Sequence, residues 1–127
     1  MSLQSLAQEF VDLCNQGKNF DVMRAMYADA IISVEASGHE TVGKQPVIQK
    51  SEKWGAANQI HGEYVRGPYF NGVADPTAVT SGQFAVHFTF ELTPNGTGQR
   101  VKLEEVAIYT VQDEQIVREV FFYEGTR

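Results

Sequence analysis

The stretch "FAVHFTFEL", residues 84–92, alternates without a break. Phe84, Val86, Phe88, Phe90 and Leu92 fall on one side, and Ala85, His87, Thr89 and Glu91 on the other. An extended chain separates two such sets, because its successive side chains point to opposite faces, whereas a helix would scatter them around its circumference. The chain must therefore build a sheet with one strongly apolar face, and other elements must cover that face.

More strands surround this one. Val101 to Val111 and Ile116 to Glu124 read as two further strands joined through Asp113-Glu114, and "TPNGTG" is a turn before them. Antiparallel pairing is expected across both tight connections. Ile60 to Phe70 is an earlier strand interrupted at Gly67-Pro68, and "GVADPTAVTSG" (72–82) is a loop with an early strand start near Ala78.

The cover comes from the N-terminal half. Leu3, Leu6, Ala7, Phe10, Leu13 and Cys14 recur at steps of three and four, one face of an amphipathic helix that Gly17 ends. Asn19 is placed to cap a second helix burying Phe20, Met23, Met26 and Tyr27. Ile31 to Ala36 is a short strand. A third helix opens at "GKQPVIQKSEKW", with Pro46 in its first turn and Val47, Ile48, Ser51 and Trp54 on its inner face. Helices first and a meander of strands afterwards define an α+β chain, with helices on one face of a sheet.

Its 127 residues suit one domain spanning 1–127, and 43% hydrophobic residues support a core. A net charge of −6 without any basic run argues against nucleic acid as a partner. No apolar run approaches the about 18 residues of a membrane helix, and Gln, Glu and Asp interrupt the N-terminus where a signal peptide would be apolar. Cys14 is the sole cysteine and reads as core; with no disulfide to form, a cytoplasmic location is expected. The last strands are apolar on both faces, with Val106 and Ile108 on one side and Ala107, Tyr109 and Val111 on the other. Helices cover one face, so the second is expected to make a homodimer.

The order helix, helix, strand, helix, meander, with "MYADAIISVE", "GKQPVI" and "EVAIYTVQDEQIVREVFFYE", resembles the nuclear transport factor 2-like superfamily, and within it the SnoaL-like and ketosteroid-isomerase-like groups. The resemblance covers essentially the whole chain. It implies three helices on a strongly curved, mostly antiparallel sheet, a cystatin-like cone with an internal cavity. At the last hairpin such chains usually carry Asp-Gly, where this one has Asp113-Glu114, a departure that bears on turn geometry. The isomerase branch needs a carboxylate base after the second helix, a tyrosine on the first helix and a protonated aspartate in the penultimate strand. The matching positions here are Ala36, Phe10 and Ala107, which supply none of these groups. With Ala36 facing the cavity, Glu35 faces away, as a surface or interface carboxylate.

The same alignment lines the cone with Glu105, Ala107, Tyr109 and Val111, with Glu119, Phe121 and Tyr123, and with Phe84, Val86, Phe88 and Phe90. A carboxyl against such aromatic walls is desolvated, and its proton affinity rises. As the resemblance implies, Glu119 and Glu105 are the candidate acid–base groups. Tyr109, Tyr123, Phe121, Phe88, Phe90, Val86, Trp54 and Phe10 are the candidate lining for a small hydrophobic ligand. The plainer alternative makes Glu105 a solvated rim residue and Glu119 the partner of a cation such as Lys102. His39, His61 and His87 lack metal-site spacing, His87 being placed to meet Glu104 on the outer face, and Ser33, Ser37, Ser51 and Ser81 sit in no nucleophile elbow, so neither metal nor cofactor is expected. Three functions stay open: a cofactor-independent cyclase, isomerase or lyase, a non-catalytic binder of an apolar ligand, and a dimerisation module.

Overall fold

The computed structural model describes residues 1–124; the last three residues of the expected domain lie outside this range. Three helices and six strands run in the order α1 (Leu3–Asn15), α2 (Asn19–Met26), β1 (Tyr27–Val34), β2 (Glu40–Val42), α3 (Lys44–Ala57), β3 (Asn58–Phe70), β4 (Gly82–Pro94), β5 (Val101–Gln112) and β6 (Gln115–Phe122). One open sheet has the order β2-β1-β6-β5-β4-β3. Every neighbouring pair is antiparallel except β1 with β6, which run parallel.

The local causes are visible in the sequence. Ser2 caps α1 by accepting from the Ser5 amide, and Gly17, at φ +75°, closes it with its N–H on the Cys14 carbonyl. Leu3, Leu6, Ala7, Phe10, Val11 and Cys14 are its buried face. The second helix differs from expectation. Lys18 occupies the cap position without a side-chain bond, and Asn19, already helical, donates instead to Glu63 at 2.7 Å. Val22 and Met26 are its buried residues, while Phe20 and Met23 are half-buried. Tyr27 leaves the helix and starts β1, earlier than the expected Ile31. Short β2 was not foreseen, because three residues carry too little alternation to register. No strand starts near Ala78; β4 begins at Gly82.

The alternation in β4 does what it implies. Phe84, Val86, Phe88, Phe90 and Leu92 are buried beneath the helices. Ala107, Tyr109 and Val111 of β5, and Ile116 and Glu119 of β6, continue the same inner face. At its centre Phe10 meets Tyr109 at 4.5 Å and Phe84 at 5.4 Å between ring centroids, and Phe84 stacks on Tyr109 at 5.2 Å. Among the described residues, no helix is long and apolar enough to cross a membrane.

Candidate functional site

The aromatic packing corrects the expected cavity. Phe10, Val86, Phe88 and Tyr109 do not line open space; they are buried in the core, their rings filling the closed end of the fold. Phe90 is buried too, in stacked contact with Phe88 and edge-on to Trp54 at 5.2 Å. Toward the other end of the inner face burial is less complete. There Trp54, Leu103, Glu105, Phe121 and Tyr123 are half-buried, together with Glu35 and Lys50. Of the residues proposed as lining, Trp54, Phe121 and Tyr123 belong to this open end.

Glu119 lies at its floor, 2% exposed. Strand register brings its partners together: Ser33 of β1 and Tyr109 of β5 both sit directly opposite Glu119. Ser33 Oγ donates to Glu119 Oε2 at 2.6 Å, and the Tyr27 hydroxyl donates to Oε1. Lys50 Nζ donates to Ser33 Oγ at 2.7 Å and to Glu35 Oε1 at 2.6 Å. Tyr123 Oη donates to Glu35 Oε2 at 2.7 Å, and the ammonium of Lys50 stands 5.6 Å from the centre of the Phe121 ring. A continuous hydrogen-bonded chain thus runs from buried Tyr27 through Glu119, Ser33, Lys50 and Glu35 to Tyr123.

Burial raises the proton affinity of Glu119 above that of an ordinary glutamate, and nearby Glu35 adds to this; the bonds from Ser33 and Tyr27 and the charge of Lys50 oppose the shift without reversing it. Burial next to Glu119 pushes the phenols of Tyr27 and Tyr109 well up, so both stay protonated. Cys14 is buried and its thiol is pushed up by desolvation and then by Glu63, as suits a core residue rather than a nucleophile.

The two expected acids separate. Glu105 keeps the inner-face position but lies four residues along β5 from Tyr109, roughly 13 Å from the Glu119 level at strand spacing. Lys102 does not approach Glu119; it pairs in register with Glu91.

Glu35 requires the main correction. It does not face away from α3: Ile31 and Ser33 are the buried residues of β1, and Glu35 continues their parity to reach Lys50 and Tyr123. Ala36 instead borders a shallow groove of about 660 Å³ with Lys102, Leu103, Glu104, Phe122, Tyr123 and Glu124. This groove shares only Tyr123 with the Glu119 cluster, and its lining is drawn mainly from the outer face, so it is not the site of the acid.

Three members of the cluster escaped sequence reasoning. Lys50 stands three residues after Val47 and four before Trp54, so helical spacing alone places it on their face. Ser33 shares strand parity with Ile31. Tyr27 is hidden by its position at the junction of α2 and β1. On the outer face His87 reaches Glu104 at 3.7 Å, as expected, and Arg66 contacts its ring. Among the described residues no three metal-ligating side chains converge.

Helices on an open mixed sheet, with a buried acid beneath a half-open aromatic end, define the class: the α+β cone of the nuclear transport factor 2-like superfamily. Residues 1–123 match the model of the SnoaL-like domain, and the chain belongs to that family. A Mesorhizobium loti protein, provisionally described as a SnoaL-like polyketide cyclase with the added words carbohydrate phosphatase, is 37% identical. The match covers 97% of this chain and 100% of that one, at a TM-score of 0.85. A provisionally described polyketide cyclase from Pseudomonas putida matches at 20% identity over 98% and 92% of the two chains, with a TM-score of 0.68. A nuclear transport factor 2-like protein from Exiguobacterium matches at 19% over 95% and 99%, with a TM-score of 0.70. The last two speak for the fold alone. No curated protein matches the chain.

Proposed function

We propose that this chain is a small-molecule pocket protein that moves a proton on a hydrophobic carbonyl compound, as a cyclase, isomerase or lyase working without a cofactor. The observation that carries this reading is Glu119: a carboxyl removed from water, with raised proton affinity, yet linked through Ser33 and Lys50 to the half-open end. Such a group holds a proton closer to neutral pH than an ordinary glutamate does, which is what acid–base work requires. The provisional cyclase description of the Mesorhizobium loti relative agrees with it.

The steroid-isomerase mechanism draws no support even with Glu35 turned inward. Phe10 and Ala107 remain where that mechanism needs two hydrogen-bond donors, and Glu35 is engaged by Lys50 and Tyr123. A second reading, a non-catalytic binding protein, is favoured by one feature: both oxygens of Glu119 are already occupied, by Tyr27 and Ser33. Deuterium exchange separates the two. Hydrophobic 1,3-dicarbonyl compounds are incubated with the protein in heavy water, and loss of the α-proton signal is followed by NMR. Exchange above the buffer rate that disappears in Glu119→Gln supports the enzyme. Binding without such exchange leaves the binder.

We also propose that two copies associate through the outer sheet face. Val106 and Phe122, opposite each other on β5 and β6, are 41% and 53% exposed there, which supports this reading over a solvated face.

A further inference from the structure

At the half-open end most hydrogen-bond donors are already committed. Tyr27 and Ser33 donate to Glu119, and Tyr123 donates to Glu35. Lys50 differs. An ammonium has three N–H groups, and oxygen partners engage two of them, Ser33 Oγ at 2.7 Å and Glu35 Oε1 at 2.6 Å. The side chain is still 28% exposed, and its charge stands against the face of Phe121. A cation fixed by two oxygens and an aromatic ring cannot swing away as a surface lysine would. It is held where a ligand entering between Trp54, Phe121 and Tyr123 would meet it.

The charges beside it select the ligand. Glu35 already neutralises Lys50 by direct contact, and Glu119 lies one hydrogen bond further in. A ligand anion would gain Lys50 but meet Glu35 in direct contact with it, with Glu105 at the same end. A neutral acceptor meets no such opposition. Resting on the proposed pocket function, we infer that Lys50 is the ligand anchor of this site, donating its third N–H to the carbonyl oxygen of an uncharged aromatic compound that stacks against Phe121. This makes Lys50 the residue that distinguishes a carbonyl from the hydrocarbon of the same shape. It also links the carbonyl to Glu119 through Lys50 and Ser33.

Acetophenone and ethylbenzene have the same shape and differ in a carbonyl against a methylene. Each is titrated into the full chain, with binding followed by the amide resonances and by the indole N–H of Trp54, the sole tryptophan. The more apolar ethylbenzene should win in a pocket without an anchor. Wild type is expected to prefer acetophenone by about tenfold, the scale of one hydrogen bond from a charged donor. Lys50→Met is expected to lose this preference while still binding ethylbenzene. The Lys50 ammonium resonance in wild type gives a second measurement that needs no variant: acetophenone should move it and ethylbenzene should not. A preference that survives in folded Lys50→Met, or bound acetophenone that leaves the ammonium resonance in place, overturns the assignment while leaving the pocket intact. Tighter binding of benzoate than of acetophenone overturns the choice of a neutral ligand. If neither aromatic compound moves Trp54, the pocket reading itself falls, and the anchor with it.

Discussion

At the scale of single residues, Glu119 controls how stability responds to pH. Its proton affinity is raised in the folded chain by burial, whereas an unfolded glutamate titrates near about pH 4.3. Between the unfolded value and the raised folded value, the native state holds a proton that the unfolded state has released. Stability therefore falls as pH rises through that window. Glu119→Gln is expected to flatten this decline in denaturant titrations made across the acidic range. Glu63, also raised by burial, contributes in the same direction, so Glu63→Gln is the control that assigns the remainder. Ser33→Ala removes a bond that favours ionised Glu119 and leaves Lys50 without one acceptor. It should cost about 1–3 kcal/mol in unfolding free energy and move the Glu119 window to higher pH. How much of this was legible in the sequence follows from parity. The face of β6 carrying Glu119, Phe121 and Tyr123 is readable, because a tight turn ties β6 to the alternating, 12-residue β5. Glu35 lies on the opposite face from the one expected, because β1 pairs irregularly with β6 between Tyr27 and Ile32 and the expected register rests on a family pattern. A shift of one residue turns every side chain of a strand over, and that was enough to hide the contacts of Ser33 and Lys50.

At the scale of elements, the β5–β6 hairpin bears the clearest mark of its sequence. Asp113 and Glu114 both have positive φ, at 48° and 70°. This is the mirror-image two-residue turn that matches the twist of paired strands, and it normally carries glycine at the second position. Glutamate there bears a steric cost that glycine does not. The turn is also tied down from outside, since Ser81 accepts from the Asp113 amide and the N-terminal amine contacts the Glu114 carboxylate. That ion pair is exposed and adds little. Glu114→Gly is therefore expected to raise stability by about 1 kcal/mol, measured as a higher urea midpoint with an unchanged slope. An unchanged or lower midpoint would mean that the tethers outweigh the strain. The hairpin was legible because Asp-Glu separates two alternating segments. The filled closed end was not, because strand alternation says which face a phenylalanine occupies but not how far neighbouring rings interpenetrate. Phe10 packing against both Phe84 and Tyr109 is a product of helix placement, which only the tertiary structure supplies.

At the scale of the whole molecule, the outer sheet face decides the state in solution. Val106 and Phe122 stand opposite each other on adjacent strands, and Ile108 and Val120 form the next such pair, half-buried. Among the described residues the helices pack on the inner face, and Val106 and Phe122 stay exposed. A two-fold dimer would bring each patch against its own copy, and an interface of standard size needs about 800 Å² from each partner, within reach of two strands and their neighbours. Sedimentation velocity on the full chain is expected to show a dimer. Phe122→Asp tests the face directly, because two-fold symmetry introduces the charge on both sides of the interface at once and removes two aromatic contacts. Phe122 is more than half exposed and belongs to no part of the core, so the variant should keep the wild-type far-ultraviolet spectrum while sedimenting as a monomer. A wild type that sediments as a monomer would refute association. A wild-type dimer that Phe122→Asp leaves intact would move the interface off β5 and β6, most naturally to the β3 edge, where Tyr64 and Tyr69 are exposed. The site at the half-open end would then have to be understood without a partner beside Tyr123, whose neighbour Phe122 is the residue the dimer would cover.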